Sequence, residues 1–207
     1  VALFLFLDLE DTELRRAHRT ENAPRQRERR RAVTRIAGGL EEAVERQRLV
    51  AIGCLALDWP KDKLTIWVLD DGRREWLREK CEALGVRHLT RPDNKGRKAG
   101  NHNHALRATS APYILSLDSD FIPFPRFLYR TLGFFEESNI AIVQTPQSYY
   151  NHEPMKNNLL LQRFLPEELD MFFGIIQPCR DAWGCPIYVG SAALIRRSAL
   201  CAIGGFE

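Results

Sequence analysis

Two pairs of acidic residues follow apolar runs in this sequence. Asp70 and Asp71 come directly after LTIWVL. Asp118 comes directly after YILSL, and Ser119 separates it from Asp120, so the second pair reads DSD. Apolar runs of this kind are typical of buried strands, and ligands of α/β proteins bind at the carboxyl ends of strands. Two carboxylates in a DxD turn suit a hard cation such as Mg²⁺ or Mn²⁺, which would neutralise a diphosphate leaving group. Asp118 and Asp120 are therefore candidate metal ligands, with a simple strand-end turn as the alternative.

A basic segment, KGRKAGN, precedes a predicted helix at Ala99–Ala108. Lys98 in this segment is a candidate phosphate ligand, because free N–H groups at a helix start also attract anions. An ordinary solvated loop is the alternative. The segment lacks the full P-loop pattern, and no GxGxxG follows the first strand, so neither a P-loop nor a dinucleotide-binding dehydrogenase is indicated. His102 and His104 do not share a helix face, so we expect packing or capping roles for them and no metal site.

The elements that position these residues alternate along the chain from Leu49 onward. The alternation predicts an α/β fold, with a mixed, mostly parallel sheet that carries helices on both faces. The predicted strands are Leu64–Leu69, Val86–Leu89, Tyr113–Leu117, Ile140–Gln144, Ile187–Val189 and Ala192–Ile195. The predicted helices are Glu75–Leu84, Ala99–Ala108, Phe124–Glu137 and Leu159–Ile176, the last kinked or split at Pro166.

The first 48 residues differ in character from the rest. Val1–Leu7 is apolar but short, so it fits either the tail of a membrane-spanning helix or a buried strand. Asp8–Arg48 is rich in arginine and poor in large apolar side chains, and we expect it to pack poorly. A basic patch that contacts phosphate or lipid is the alternative. We therefore divide the chain into a divergent, disorder-prone segment (residues 1–48) and a partial catalytic domain (residues 49–207).

Composition excludes several other classes. The net charge of +3 is too small to argue for nucleic acid, and no aromatic residues interleave with the arginine-rich stretch to stack on bases. The five cysteines form no CxxC pair, which favours a reducing compartment over a disulfide framework. Zinc at Cys179 and Cys185 is not favoured, because no second ligand pair is evident. No apolar run reaches the length of a membrane-spanning helix.

Six segments in this order resemble family 2 glycosyltransferases, and in particular the bacterial cellulose synthases and their processive relatives. They are VLDDG, RKAGNHNHAL, LSLDSDFIP, QTPQSYYN, YVGSAALIRR and IGGFE. The resemblance runs from about Leu49 to Glu207. It implies a GT-A, Rossmann-like fold that is incomplete at both ends, and an inverting transfer of glucose from UDP-glucose to a growing β-glucan chain.

The resemblance also implies roles for single residues at the donor site. Asp70 and Asp71 match positions that contact UDP. Lys98 matches the residue that holds the diphosphate. Asp118 and Asp120 match the DxD that binds the nucleotide and its Mg²⁺ or Mn²⁺ ion.

At the acceptor site, Gly190 and Ser191 match part of the family's FFCGS-like motif, although Ile187, Tyr188 and Val189 replace its first residues. The family's catalytic base lies in a TED motif expected beyond Glu207, and its QxxRW motif lies further on. No catalytic base is therefore assigned within this chain, and we expect the 207 residues alone to make no polymer. The family's opening strand, which ends in a PTYNE-like motif, has no sequence counterpart before Val50.

Two alternatives stay open. The same fold could act on UDP-N-acetylglucosamine, as in chitin or hyaluronan synthesis, or the chain could be a non-catalytic UDP-binding module. An arginine-rich nucleic-acid binder is the least favoured class, so we expect no nucleic-acid partner. The resemblance implies a domain on the cytoplasmic side of the inner (plasma) membrane, attached through segments outside this chain.

Overall fold

A computed structural model describes residues 2–7, 33–35, 40–149, 158–160, 164–165 and 168–207. Its strands are β1 (Ala2–Leu7), β2 (Val33–Arg35), β3 (Leu64–Leu69), β4 (Arg87–Leu89), β5 (Tyr113–Asp118), β6 (Phe121–Pro123), β7 (Ile142–Gln144), β8 (Gln147–Tyr149) and β9 (Ala193–Arg196). Its α-helices are α1 (Leu40–Leu55), α2 (Glu75–Leu84), α3 (Arg97–Ala108), α4 (Phe127–Thr131), α5 (Glu168–Met171), α6 (Gln177–Ala182) and α7 (Arg197–Ala202). Short 3₁₀ turns cover Lys61–Lys63 and Leu132–Glu136, and a π-helical turn, Phe172–Ile176, joins α5 to α6.

The larger sheet has six strands in the order β4-β3-β1-β5-β9-β7. The predicted α/β class with a mixed sheet is confirmed, but its strand pairing needs a correction. Only β3 and β4 pair in parallel, while the other four neighbouring pairs are antiparallel. Four strands, β3, β4, β5 and β7, do run in one direction, as the alternation with helices predicts. Most neighbouring pairs are nevertheless antiparallel, because β1 and β9 lie between these strands and run the opposite way.

Strand β1 fills the centre of this sheet. Ala2 pairs with Leu69 on one side and with Asp118 on the other. The side chains of Leu5 and Leu7 are fully buried. Of the two interpretations of the apolar N-terminus, the structure therefore shows the buried strand.

The core lies on both faces of the larger sheet. Alternate side chains of a strand point to opposite faces, so a strand buried on both sides needs apolar residues at every position. In β5, Leu115 and Leu117 pack into the larger cluster, whereas Ile114 packs into the smaller one with Leu69 and Ala105. This explains why the strands that precede the acidic residues are continuous apolar runs.

The predicted helices are largely confirmed, with one shifted. Helix α2 spans the predicted Glu75–Leu84 and ends at Gly85, whose φ of 69° is the left-handed conformation that a glycine adopts readily. The helix predicted at Leu159–Ile176 is found only from Glu168, and it continues through α6 to Ala182. The described residues 159–160 and 164–165 lie in turns and bends, so the first part of the prediction is wrong where the structure describes it. The prediction for Asp8–Arg48 lies mostly outside the described residues.

The prediction of a strand at Ile187–Val189 is wrong. Side chains, rather than a neighbouring strand, bond the backbone of this segment. The Gln177 amide donates to the Ile187 carbonyl at 2.6 Å and accepts from the Ile187 N–H at 3.0 Å. The N–H of Val189 donates to Oε1 of Gln144 at 3.1 Å. Glutamine side chains thus satisfy backbone groups that a neighbouring strand would otherwise bond.

A smaller, three-stranded sheet lies beside the DxD turn. Its order is β6-β2-β8, with β2 antiparallel to β6 and parallel to β8. Strand β6 begins at Phe121, directly after Asp120. Among the residues described, no helix has the length and apolar character needed to cross a membrane.

Candidate active site

The DxD turn forms one wall of an open, polar cleft of about 390 Å³. Asp118 ends β5, and its N–H donates to the Ser191 hydroxyl at 2.8 Å. Ser191 is buried, so this bond fixes the end of β5 against the loop before β9. The cleft is lined by Asp118, Ser119, Asp120, Phe121, Gln147, Val189 and Ser191. Three of the predicted site residues therefore line one cleft.

Lys98, in the first turn of α3, contacts the wall of this cleft through Asp118. Its ammonium donates to Oδ1 of Asp118 and, at 2.7 Å, to the carbonyl of Gly190. Gly190 has a φ of 82°, and an added Cβ there would lie 3.7 Å from the Lys98 ammonium nitrogen. The structure thus brings together Lys98, Asp118 and Gly190, which lie up to 92 residues apart in sequence.

Asp70 and Asp71 lie at the same edge of the sheet but do not line this cleft. Because β1 separates β3 from β5, the two strand ends are about two interstrand spacings, or about 10 Å, apart. Asp70 is fully buried and accepts from the N–H groups of Gly72 and Arg74 at 2.9 and 2.7 Å. The Arg74 guanidinium adds a bond to Asp70 at 2.6 Å. Asp70 therefore shapes the turn that leads into α2.

Asp71 is held by Arg91, a residue that the sequence did not single out. The Arg91 guanidinium bonds both carboxylate oxygens of Asp71, at 2.6 and 2.8 Å. These bonds stabilise the charged carboxylate and hold the pKa of Asp71 below its usual value. Arg91 also donates to the carbonyls of Lys95 and Arg97, at 2.6 and 2.8 Å. One buried guanidinium thus connects the turn at residues 70–72 to the segment 95–98, which carries Lys98.

The QTPQ segment, which contributed only to the resemblance, has a structural role in this site. Nε2 of Gln144 donates to the Ser191 carbonyl at 3.0 Å, while its Oε1 accepts from Val189. Nε2 of Gln147 donates to the same Ser191 carbonyl at 3.1 Å. The Thr145 hydroxyl donates to the Ala192 carbonyl at 2.6 Å. These side chains hold the loop 189–192, in which both Gly190 and Ala192 have positive φ.

We expect Gln144→Leu to lower the free energy of unfolding by about 1–3 kcal/mol, because it leaves the Val189 N–H and the Ser191 carbonyl with fewer partners. Urea unfolding followed by circular dichroism measures this change. Gln147→Leu is the matched control, since it removes the single bond to Ser191. Equal stability of the Gln144→Leu and wild-type chains would show that Gln144 does not hold the loop.

The helix α3 also anchors the C-terminal GGF segment. Asn103 exchanges two hydrogen bonds with the backbone of Phe206, at 2.7 and 2.8 Å. The Phe206 ring packs edge-on against His102, with ring centroids 4.9 Å apart. Burial, with a smaller contribution from the Lys98 charge, lowers the pKa of His102 to about 3. His102 is therefore neutral at pH 7 and packs in the interior, as the sequence predicts.

The donor set fits a magnesium-like ion that is completed by its substrate. Within the described part of the chain, no group of three or more His, Cys, Asp or Glu side chains is placed to hold a metal. Mg²⁺ usually takes one or two carboxylates and fills its remaining positions with water and substrate phosphates. Asp118 and Asp120 match that pattern, and the bond from Lys98 shows that Asp118 already attracts a cation.

Comparison with known proteins identifies the family. Residues 42–204 match the family described as Glycosyl transferase family 2. The chain belongs to this family. The match includes every site residue predicted from the sequence, from Asp70 to Ser191. The predicted family 2 glycosyltransferase is confirmed.

Cellulose synthases are among the curated relatives of this family 2 chain. It is 43% identical over 167 residues to the UDP-forming cellulose synthase 1 catalytic subunit of Komagataeibacter xylinus, covering 80% of this chain and 22% of the relative. It is 41% identical over 165 residues to the UDP-forming cellulose synthase catalytic subunit of Pseudomonas fluorescens, covering 79% of this chain and 22% of the relative. The chain thus spans about a fifth of the length of these relatives.

A solved structure supports the GT-A fold. The chain resembles a mannosyltransferase from Pyrobaculum calidifontis in complex with GDP-Man and Mn²⁺, with a TM-score of 0.59 and 18% sequence identity. The similarity covers 95% of this chain and 54% of that one. The predicted GT-A fold is confirmed.

Proposed function

We propose that this chain forms the donor-binding part of a glycosyltransferase that transfers glucose from UDP-glucose, with inversion, to a growing β-glucan chain. The observation that carries the proposal is the joining of Lys98 to Asp118 and Gly190 beside the cleft. A nucleoside diphosphate needs a cation on one side and positive donors on the other. The identity to cellulose synthases supports glucose and β-glucan over other sugars.

Five residues that line or border the cleft have a role in this proposal. Asp118 and Asp120 hold Mg²⁺ or Mn²⁺, which when bound stabilises the negative charge that develops on the departing diphosphate. Lys98 donates to the diphosphate. Gly190 and Ser191 border the position of the acceptor sugar.

The acidic turn after β3 supports the nucleotide from the other side of β1, at the same edge of the sheet. In this proposal Asp71, held by Arg91, contacts the nucleotide, and buried Asp70 holds the turn in shape. We assign no general base within this chain and expect that base in the sequence that follows Glu207. The domain acts on the cytoplasmic side of the plasma membrane, anchored by segments outside the chain.

Calorimetric titration with UDP tests this proposal. We expect UDP to bind in the presence of Mg²⁺ or Mn²⁺ and to bind much more weakly with EDTA. UDP-glucose and UDP-N-acetylglucosamine, as competing ligands, distinguish the two candidate donors. GDP is the nucleotide control. Failure of UDP to bind with either metal would remove the basis of the proposal.

A further inference from the structure

Lys98 occupies a position between the DxD turn and the loop 189–192. Its ammonium donates to the Asp118 carboxylate and to the Gly190 carbonyl, so one cation joins the end of β5 to the loop that precedes β9. The Lys98 and Asp118 side chains are 43% and 36% exposed. This ion pair is therefore formed at the cleft surface, where both partners are open to ligands.

The ammonium and a divalent cation compete for the same carboxylate. A metal ion bound at Oδ1 of Asp118 would lie within about 4 Å of the ammonium in its present position, where like charges repel strongly. Lys98 must therefore move when a metal ion binds to Asp118. Its long, flexible stem permits such a movement without a change in the helix.

A diphosphate supplies the anion toward which Lys98 can move. Its oxygens replace the Asp118 carboxylate as the partner of the ammonium, and Asp118 then becomes available to the metal. We propose that Lys98 is an exchangeable internal counter-ion. Its ion pair with Asp118 prevents divalent cations from binding to that carboxylate until a nucleoside diphosphate binds the Lys98 ammonium instead. Metal and nucleotide then bind as a unit, and each raises the affinity of the site for the other by the same factor.

This inference rests on the proposed function and adds the order in which the nucleotide and the metal ion bind. In the free chain, Lys98 neutralises the Asp118 carboxylate, so the turn holds little metal. The nucleotide brings the metal into the site, so the divalent ion is bound mainly when a donor is present. A site without the lysine would hold the metal alone and then attract the nucleotide.

The test compares Lys98→Met with the wild-type chain in two titrations. In the first, Mn²⁺ is added without nucleotide, and bound ion is followed by electron paramagnetic resonance. We expect the variant to bind Mn²⁺ about tenfold more tightly, because the competing ammonium is gone. In the second, UDP is added at saturating Mn²⁺, and we expect about tenfold weaker binding, because the diphosphate has lost a charged donor.

The counter-ion role predicts tighter Mn²⁺ binding and weaker UDP binding in the variant. A purely structural role of Lys98 would instead weaken the binding of both ligands. Lys95→Met is the matched control, because the Lys95 side chain is 90% exposed and its ammonium lies near Asp93. Lys98→Gln repeats both titrations with a neutral polar side chain in case the methionine variant folds poorly.

Three outcomes are informative. A tighter Mn²⁺ site with a weaker UDP site supports the counter-ion role. An unchanged or weaker Mn²⁺ site in both Lys98 variants overturns it, while UDP binding by the wild-type chain leaves the proposed function in place. Absence of UDP binding in the wild-type chain at saturating Mn²⁺ overturns the proposed function and this inference together.

Discussion

Replacing Asp120 with asparagine is expected to weaken metal-dependent binding of UDP by about 100-fold. Asp120 is one of two carboxylates in the DxD turn, and it lines the cleft with Asp118. Asparagine keeps the size of the side chain but removes its negative charge, so the metal loses an anionic ligand. The diphosphate is then poorly neutralised, and its binding falls with that of the metal. Calorimetry with UDP and Mg²⁺, with and without EDTA, measures the change.

Asp120 is a better choice for this test than Asp118. Substitution of Asp118 would also remove the ion pair with Lys98, so two effects would be mixed. Asp93→Asn is the matched control, because Asp93 lies in the loop before Lys98 and accepts a backbone bond that asparagine preserves. Equal UDP affinity in the Asp120→Asn and Asp93→Asn chains would show that the metal does not bind at the DxD turn.

Gly100→Ala is expected to destabilise the fold by about 3 kcal/mol, the upper end for overpacking. An added Cβ at Gly100 would lie 1.9 Å from the Lys95 carbonyl oxygen and 2.7 Å from Nη1 of Arg91. The carbonyl is a backbone atom and cannot rotate aside as a side chain could. It is also held by Arg91 at 2.6 Å. The segment 95–97 must therefore shift, which strains the bonds between Arg91 and Asp71.

Gly174→Ala is the matched control for this prediction. An added Cβ at Gly174 meets no atom of the described residues within 4 Å. Gly174 lies in the helical turn Phe172–Ile176, where alanine is favoured over glycine by up to about 1 kcal/mol. Urea unfolding should therefore show opposite signs for the two substitutions. A Gly100→Ala chain as stable as wild type would mean that the loop before α3 is not packed as described.

The strand ends with their acidic residues could be predicted from the sequence because the signals are local. A strand buried on both faces needs a continuous apolar run, and an aspartate ends such a run. The residues 64–69 and 113–118 meet these conditions, and their ends do lie at one edge of the sheet. The same reasoning located α2, since Gly85 marks its end in the left-handed conformation.

The strand pairing and the supporting side chains could not be predicted in this way. The position of β1 between β3 and β5 depends on partners about 60 and 110 residues away, and no local pattern encodes it. Arg91 and Gln144 act through bonds to distant backbone groups, so their types alone did not indicate a role. The segment 187–189 has the composition of a strand, but glutamine side chains take the place of its neighbours.

The direction of β1 has a practical consequence for work on this protein. Because β1 runs opposite to β3 and β5, its first residue, Ala2, lies beside Leu69 and Asp118, whereas Leu7 lies at the far edge. An affinity tag or fluorescent protein fused ahead of Ala2 would leave the sheet at the edge that carries the DxD turn and would crowd the cleft there. A fused label with a short linker at that end would, for the same reason, report directly on occupancy of the cleft.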